Sequence, residues 1–256
     1  MSATLVQTTA EVRYLLRIGD ASLVLGQRLS EWCGHGPILE EDIALTNVAL
    51  DLIGQARLLL TAAGELEGRG RDEDRLAFLR AENDYLNPTL VELPNGDFAR
   101  TVLRNLLFAA FQTQLWHGLS GSCHASLAAI AAKSAKETRY HLRHAADWTV
   151  RLGDGTDESG QRMRAALEYL WPYTSELFAP MPDDGATTAS GFGVAWSTLR
   201  PAWESTVLPV LAQAQLSVPT QTQFLSTGSS GRHSEYMGHL LSELQYLQRT
   251  FPDRQW

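Results

Sequence analysis

The sequence has 256 residues, of which 44% are hydrophobic and 20% charged, and its formal net charge is -8 at pH 7. This length suits one domain with a sizeable core better than two. An acidic surface repels phosphate groups and anionic lipid, so nucleic acid and membrane surfaces are excluded as default partners. The prediction is a single domain over residues 1–256 with neither kind of partner.

The two cysteines, Cys33 and Cys123, lie too far apart in the sequence for a zinc motif or a disulfide framework. We interpret them as reduced side chains that pack between helices. The segment Met1–Ala10 lacks the basic-then-apolar pattern of a signal peptide. No run of about 18 apolar residues suits a membrane span. We therefore expect a cytoplasmic protein.

Helices are predicted along the whole chain, because alternating strand patterns are scarce and good helix formers dominate. The first helix is predicted over Glu11–Trp32, and Gly34–Pro37 ends it. The second is predicted over Leu39–Gly64, with carboxylates in its first turn that complement the helix dipole. A shorter helix is expected within Glu65–Arg80.

The rest of the chain predicts five further helices separated by loops rich in Gly, Pro and polar residues. These are Phe98–His117, His124–Leu152, Thr156–Phe178, Thr198–Leu216 and Ser234–Thr250. The longest helices form two pairs, separated by a long connection between residues 65 and 97. The predicted fold is therefore all-α: a ferritin-like four-helix bundle with one long crossover and additional packed helices.

Polar residues on the long helices point to the middle of this bundle. The second helix is apolar on nearly all sides, which predicts a place inside the bundle. Asn47, Asp51 and Gln55 nevertheless share one of its faces, and an unpaired buried polar group costs about 1–3 kcal/mol. This stripe should therefore meet polar residues of the other long helices. Candidates are Asp20 on the predicted helix Glu11–Trp32, Asn105 and Gln112 on Phe98–His117, and Glu137, His141, His144 and Trp148 on His124–Leu152.

The arrangement is similar to a di-iron site, which takes a carboxylate from each of two helices and a Glu-x-x-His pair from each of the other two. None of the seven histidines follows an acidic residue at that spacing. Gly54 stands three residues after Asp51, and Tyr140 three after Glu137; glycine offers no ligand and a phenol is an uncommon one. We predict no catalytic residue and no metal ligand in this chain. The degenerate di-iron positions are Asp20, Asn47, Asp51, Glu137, His141 and His144.

Two other interpretations of these residues stay open at this point. Glu137 with His141 or His144 could hold a single metal ion. Alternatively, each polar residue makes an ordinary structural contact, with Asp51 or Glu137 bridged to an Arg or Lys.

Several long segments resemble the C-component family of phenylacetyl-CoA 1,2-epoxidase, and the resemblance extends from about Tyr14 to Trp256. Ser234 stands where relatives often have Thr, which is a conservative departure. The segments that carry the resemblance are Glu31–His35, Leu39–Asn47, Leu50–Arg57, Lys136–His141, Trp148–Thr156, Leu170–Trp171, Glu176–Phe178, Gly231–Glu235 and Glu243–Gln245.

The resemblance implies a metal-free structural subunit that pairs with a ferritin-like catalytic subunit, the A component of the same enzyme. In that family the A component holds the di-iron centre and epoxidises the aromatic ring of phenylacetyl-CoA, with O2 and electrons from a reductase subunit. This chain would then hold no cofactor. A homodimer and a contact with the CoA thioester are further expectations. The alternatives are a di-iron oxygenase active on its own and a free-standing ligand-binding bundle.

Overall fold

Helices form the regular secondary structure of residues 8–220, 224–252 and 254, which are the residues that the computed structural model describes. Within those ranges there is no β-strand, only an isolated antiparallel bridge between Thr227 and Arg232. The α-helices are α1 (Ala10–Ser30), α2 (Leu39–Glu67), α3 (Glu73–Phe78), α4 (Thr89–Glu92), α5 (Phe98–Leu119), α6 (Ala125–Gly153), α7 (Asp157–Leu170), α8 (Asp184–Ala189), α9 (Arg200–Gln213), α10 (Glu235–Leu244) and α11 (Tyr246–Thr250).

The four long helices α1, α2, α5 and α6 form the ferritin-like bundle. Helix α1 packs along α2, α5 packs along α6, and the two pairs also meet between α2 and α6. The crossover from α2 to α5 contains α3 and α4, and α4 packs on α1. Helices α7 and α9 cover the α5–α6 side. This is the all-α bundle with one long crossover that the sequence predicts.

Side-chain caps explain why the predicted starts of α1 and α5 are close to the observed ones. The hydroxyl of Thr9 accepts a hydrogen bond from the Val12 amide at 3.3 Å, and the carboxylate of Asp97 accepts one from the Arg100 amide at 3.0 Å. Each cap satisfies a backbone N–H group that the first helical turn leaves without a partner. Gly68, in the left-handed conformation with φ 66°, ends α2.

Three of the predicted helices are divided in the structure. The predicted helix Thr156–Phe178 ends at Leu170 and continues as a 3-10 helix, because Pro172 has no N–H for the next α-helical hydrogen bond. The predicted helix Thr198–Leu216 begins as a 3-10 turn, Trp196–Leu199, which is followed by α9. The last breaks at Gln245, whose side chain donates hydrogen bonds to the Arg80 carbonyl and the Tyr85 hydroxyl.

Helix α2 is not enclosed by the bundle, so the prediction that it lies inside is wrong. It is long and apolar enough to cross a membrane by length and composition, but only half of its most apolar stretch is buried. Leu39, Ile43 and Leu50 are 71%, 51% and 61% exposed. Apolar composition predicts that a helix packs against other apolar surfaces. It does not predict which faces of the helix are covered by the rest of the same chain.

The interpretation of the cysteines is also wrong in part. Cys33 and Cys123 are free thiols, but both are exposed rather than packed between helices. Cys33 lies in the turn after α1, and Cys123 lies just before α6, where its amide donates to the Gly191 carbonyl at 2.9 Å. Both cysteines thus lie in the connections between helices, and these connections are at the surface.

Candidate functional site in the middle of the bundle

A cavity of about 10 Å³, roughly the space of one water molecule, lies between the four long helices. It occupies the place where a ferritin-like bundle builds a metal centre. Among the residues that line it, His141 is the only one of the side-chain types that usually bind iron. The lining residues are Leu25 of α1, Val48 and Leu52 of α2, Asn105, Phe108, Ala109 and Gln112 of α5, and His141 of α6.

The polar residues of α2 and α6 meet along a seam between these two helices. Nε2 of His141 lies 3.0 Å from Oδ2 of Asp51, and Nε2 of His144 lies 2.8 Å from Oε2 of Glu41. Glu41 joins this seam although its position in the first turn of α2 suggested only a helix-dipole role. The seam therefore brings together Asp51, His141 and His144, as the shared faces in the sequence predict.

Glu137 completes the seam. Its carboxylate accepts a hydrogen bond from Nε2 of Gln55 at 3.0 Å and lies 3.4 Å from the Lys133 ammonium on the same helix. Because Gln55 and Lys133 already hold its two oxygens, Glu137 has the structural role that the sequence left open as an alternative. A carboxylate held in this way is directed to its partners rather than to the cavity.

Asp20 is the first of two predicted positions that the structure separates from the seam. Its side chain is fully buried and forms a bidentate ion pair with Arg80. It also accepts the Leu86 amide at 2.9 Å. Asp20 therefore fastens the crossover to α1, and its charge partner stands 60 positions away in sequence.

Asn47 is the second predicted position that the structure separates from the site. It is exposed, Asp51 is half-buried and Gln55 is fully buried. The reason is helical geometry, since a step of four residues turns by about 40° and the stripe winds from solvent into the bundle. At its buried end Gln55 accepts a hydrogen bond from Nε2 of Gln112 at 3.4 Å, and Gln112 also reaches Ser22 at 3.3 Å.

The inward face of α6 is shifted by one residue from the predicted one. Tyr140 is 41% exposed and stacks on His144 at the surface, so it is not an inward-facing substitute for a metal-binding histidine. Thr138 and His141 are the buried pair at i and i+3. Thr138 and His141 therefore have the spacing of a Glu-x-x-His pair on the inward face of α6, but threonine offers no carboxylate.

These residues do not fit a di-iron centre. Nowhere in residues 8–220, 224–252 and 254 do three or more His, Cys, Asp or Glu side chains form a group that could hold a metal ion. Leu25 and Val48, which line the cavity together with His141, have no atoms that could bind a metal ion. The buried side-chain oxygen Oδ1 of Asn105 has no hydrogen-bond partner among the described residues. One amide oxygen does not replace the several carboxylates of a di-iron site.

Comparison with known proteins agrees with this architecture. The model of the family described as "Phenylacetic acid catabolic protein" matches residues 2–256. The chain belongs to this family. A curated relative from Escherichia coli (strain K12), the C component of 1,2-phenylacetyl-CoA epoxidase, is 49% identical over 243 residues, which cover 95% of this chain and 98% of that protein.

Among the buried carboxylates of this member of the phenylacetic acid catabolic protein family, the sequence analysis missed two that hold the segment before α10, Glu92 and Glu176. Glu92, on α4, lies 2.7 Å from Nδ1 of His233 and accepts hydrogen bonds from the Asn87 amide group and the Ser234 backbone amide. Nε2 of His233 lies 3.0 Å from the Tyr85 carbonyl. The sequence signal that could have indicated a buried Glu92 was its position as a single carboxylate within the apolar run Leu90–Leu93.

Glu176 is the second missed carboxylate, and it lies in the 3-10 helix after α7. It accepts the Ser229 amide at 2.7 Å and the Thr89 amide at 2.9 Å, and it also holds the Ser226 hydroxyl. Glu92 and Glu176 thus attach the segment before α10 to the crossover between α2 and α5. Both carboxylates serve the fold of this family member and lie outside the cavity between the long helices.

Proposed function

We propose that this chain is a non-catalytic subunit of a multicomponent phenylacetyl-CoA epoxidase. It holds in position a separate di-iron subunit that epoxidises the aromatic ring in phenylacetate catabolism. The name of the relative at 49% identity supports the assignment to such a complex. The observation that supports a non-catalytic role most directly is the lining of the cavity between the long helices, where His141 lies among Leu25, Val48 and Asn105.

The carboxylates of the α2–α6 seam support the same role, because each already has a protein partner. Asp51 is paired with His141, Glu41 with His144, and Glu137 with Gln55 and Lys133. The polar groups that a catalytic paralogue would direct at iron instead join α2 to α6. In this proposal the chain contributes no bond-making group, carries no cofactor and receives electrons from no reductase.

Iron content and turnover test the proposal. The full-length chain is purified alone and after co-expression with the di-iron subunit of the same organism, and iron is measured per chain. We expect no stoichiometric iron in the chain alone, a stable complex with the di-iron subunit, and O2-dependent epoxidation of phenylacetyl-CoA only by the complex supplied with its reductase. About two irons per chain together with turnover by the chain alone would establish instead a di-iron oxygenase active on its own.

Failure of the wild-type chain to bind the di-iron subunit would favour the third alternative, a free-standing ligand-binding bundle. A homodimer, a contact with the CoA thioester and a cytoplasmic location remain predictions from the sequence. Sedimentation of the pure chain tests the first of these, and protection of backbone amides by CoA in hydrogen exchange tests the second.

A further inference from the structure

An apolar ridge follows the outer face of α2. Leu39, Ile43, Leu50 and Leu58 are 71%, 51%, 61% and 37% exposed, and their spacing places them along one side of the helix. The ridge is about 30 Å long at 1.5 Å per residue. Several large apolar side chains exposed along one side of a helix suit an interaction surface.

The middle of the ridge suits contact with another helix. At Gly54 a side chain would extend into open space, so the backbone of α2 is accessible there. Asn47 lies between Ile43 and Leu50 and is exposed, and its side chain makes no hydrogen bond to any residue that the structure describes. A partner that covers the ridge therefore needs a polar group opposite Asn47 as well as apolar side chains.

A basic surface lies beside the ridge, on the outer face of α6. Lys133 and Lys136, the only lysines of the sequence, are exposed there together with Arg143 and Arg151, and Asp147 is the one exposed carboxylate among them. The Asp51–His141 and Glu41–His144 pairs join the two helices along the seam, so ridge and basic surface lie side by side. This local positive charge contrasts with the net charge of -8.

We propose that the α2 ridge and the α6 basic surface together form the docking site for the partner subunit. The partner presents an apolar helix ridge bordered by carboxylates on the side that meets α6. This inference rests on the proposed function, because it assigns the surface through which the chain holds its catalytic partner. Apolar contact along α2 supplies affinity, and the charges of α6 set orientation and association rate.

The charges disfavour a second copy of this chain as the occupant. A two-fold dimer places the same patch on both sides of the interface. Depending on the direction of the axis, the basic surface would then meet either its own copy or the apolar ridge of the other chain, and neither complements its charge. The middle of the ridge disfavours a lipid surface, because the acyl region offers no hydrogen-bond partner for Asn47. A helical protein partner with acidic flanks meets both requirements.

Leu50→Glu tests the ridge in the full-length chain, with Leu208→Glu as the matched control. Leu208 is a 39% exposed leucine on α9, away from the α2–α6 face. The dissociation constant for the di-iron subunit is measured after circular dichroism and thermal melts show each variant folded. We expect Leu50→Glu to weaken binding at least about tenfold, as substitution of a central interface residue does, and Leu208→Glu to leave binding within about twofold.

Lys136→Glu combined with Arg143→Glu tests the basic surface, with Arg164→Glu on α7 as the control at another exposed arginine. We expect the double variant to associate several-fold more slowly and to lose most of the salt dependence of association, since charges at an interface rim act mainly on the association rate. The control should keep both properties of the wild type.

The outcomes separate this inference from the proposed function. Wild-type chain that binds no di-iron subunit overturns both. If the wild type binds and Leu50→Glu binds equally well, only the docking site is wrong. Two further results would also show that the docking site is wrong. In the first, Leu50→Glu dissociates a dimer of the wild-type chain but does not weaken the complex with the di-iron subunit. In the second, Leu50→Glu abolishes binding to vesicles of about one-third anionic lipid but does not weaken that complex.

Discussion

Glu92 and His233 form a fully buried pair in which Nδ1 of the imidazole lies 2.7 Å from the carboxylate. Nε2 of the same ring faces the Tyr85 carbonyl, and both neighbours are acceptors, so His233 donates from both nitrogens and is an imidazolium. Burial by itself opposes this charge, but the hydrogen bond and the charge of Glu92 outweigh it, so the pKa of His233 is raised above 6.5.

This pair predicts a loss of stability at alkaline pH. Because the folded-state pKa is above the unfolded value, the contribution of His233 is complete below about pH 6.5 and is lost as the pH rises through the folded-state pKa. The free energy of unfolding is measured by urea denaturation from pH 5.5 to 9. The difference between wild type and His233→Gln should shrink as the pH rises, whereas His117→Gln, at an exposed histidine, should show no such trend. A constant difference for His233→Gln would contradict the assignment.

The Asp20–Arg80 ion pair predicts a large penalty for removing one partner. Arg80→Met leaves the fully buried Asp20 carboxylate without its cation, which should lower the free energy of unfolding by about 3–5 kcal/mol. Arg13→Met removes the half-exposed pair with Asp183 and should change it by at most about 1 kcal/mol. Urea denaturation measures both. Adding Asp20→Asn to Arg80→Met should recover part of the loss, and similar values for the two single variants would refute the argument.

The inward face of α6 predicts opposite effects at adjacent positions. Thr138→Glu inserts a carboxylate into the buried face without a cation, so it should destabilise the chain by more than about 2 kcal/mol. Tyr140→His changes an exposed side chain and should alter stability by about 0.5 kcal/mol or less. Neither variant should bind iron stoichiometrically, because Leu25 and Val48 provide no ligands. A larger effect at Tyr140 than at Thr138 would mean that the face is assigned to the wrong residues.

The hydrogen bonds of Glu176 predict that it keeps the segment before α10 in place. Glu176→Ala removes the acceptor of the Thr89 and Ser229 amides, and bonds to a charged group contribute about 1.5–3 kcal/mol each. We expect a loss of about 3 kcal/mol or more and faster proteolytic cleavage between Leu216 and Ser234. Glu168→Ala, at an exposed glutamate of α7, is the control. Unchanged cleavage in Glu176→Ala would show that other contacts hold the segment.

The helical bundle and the missing Glu-x-x-His pairs could be predicted from the sequence, because both depend on local spacing. The Asp97 cap, the glycine and proline interruptions and the apolar periodicity are local signals, and they placed the long helices to within a few residues. No histidine has an acidic residue three positions before it, and this too is a property of neighbours in the chain.

Only the tertiary structure decided which side of each helix faces the interior. Asp20 and Asn47 lie away from the seam, and Asp20 pairs with Arg80. On α6, Thr138 rather than Glu137 shares the buried face of His141, and the ridge on α2 is exposed. The physical reason is that adjacent positions on a helix differ by about 100°, so a one-residue difference exchanges inside for outside. Burial further depends on segments distant in sequence, whose positions local spacing does not specify.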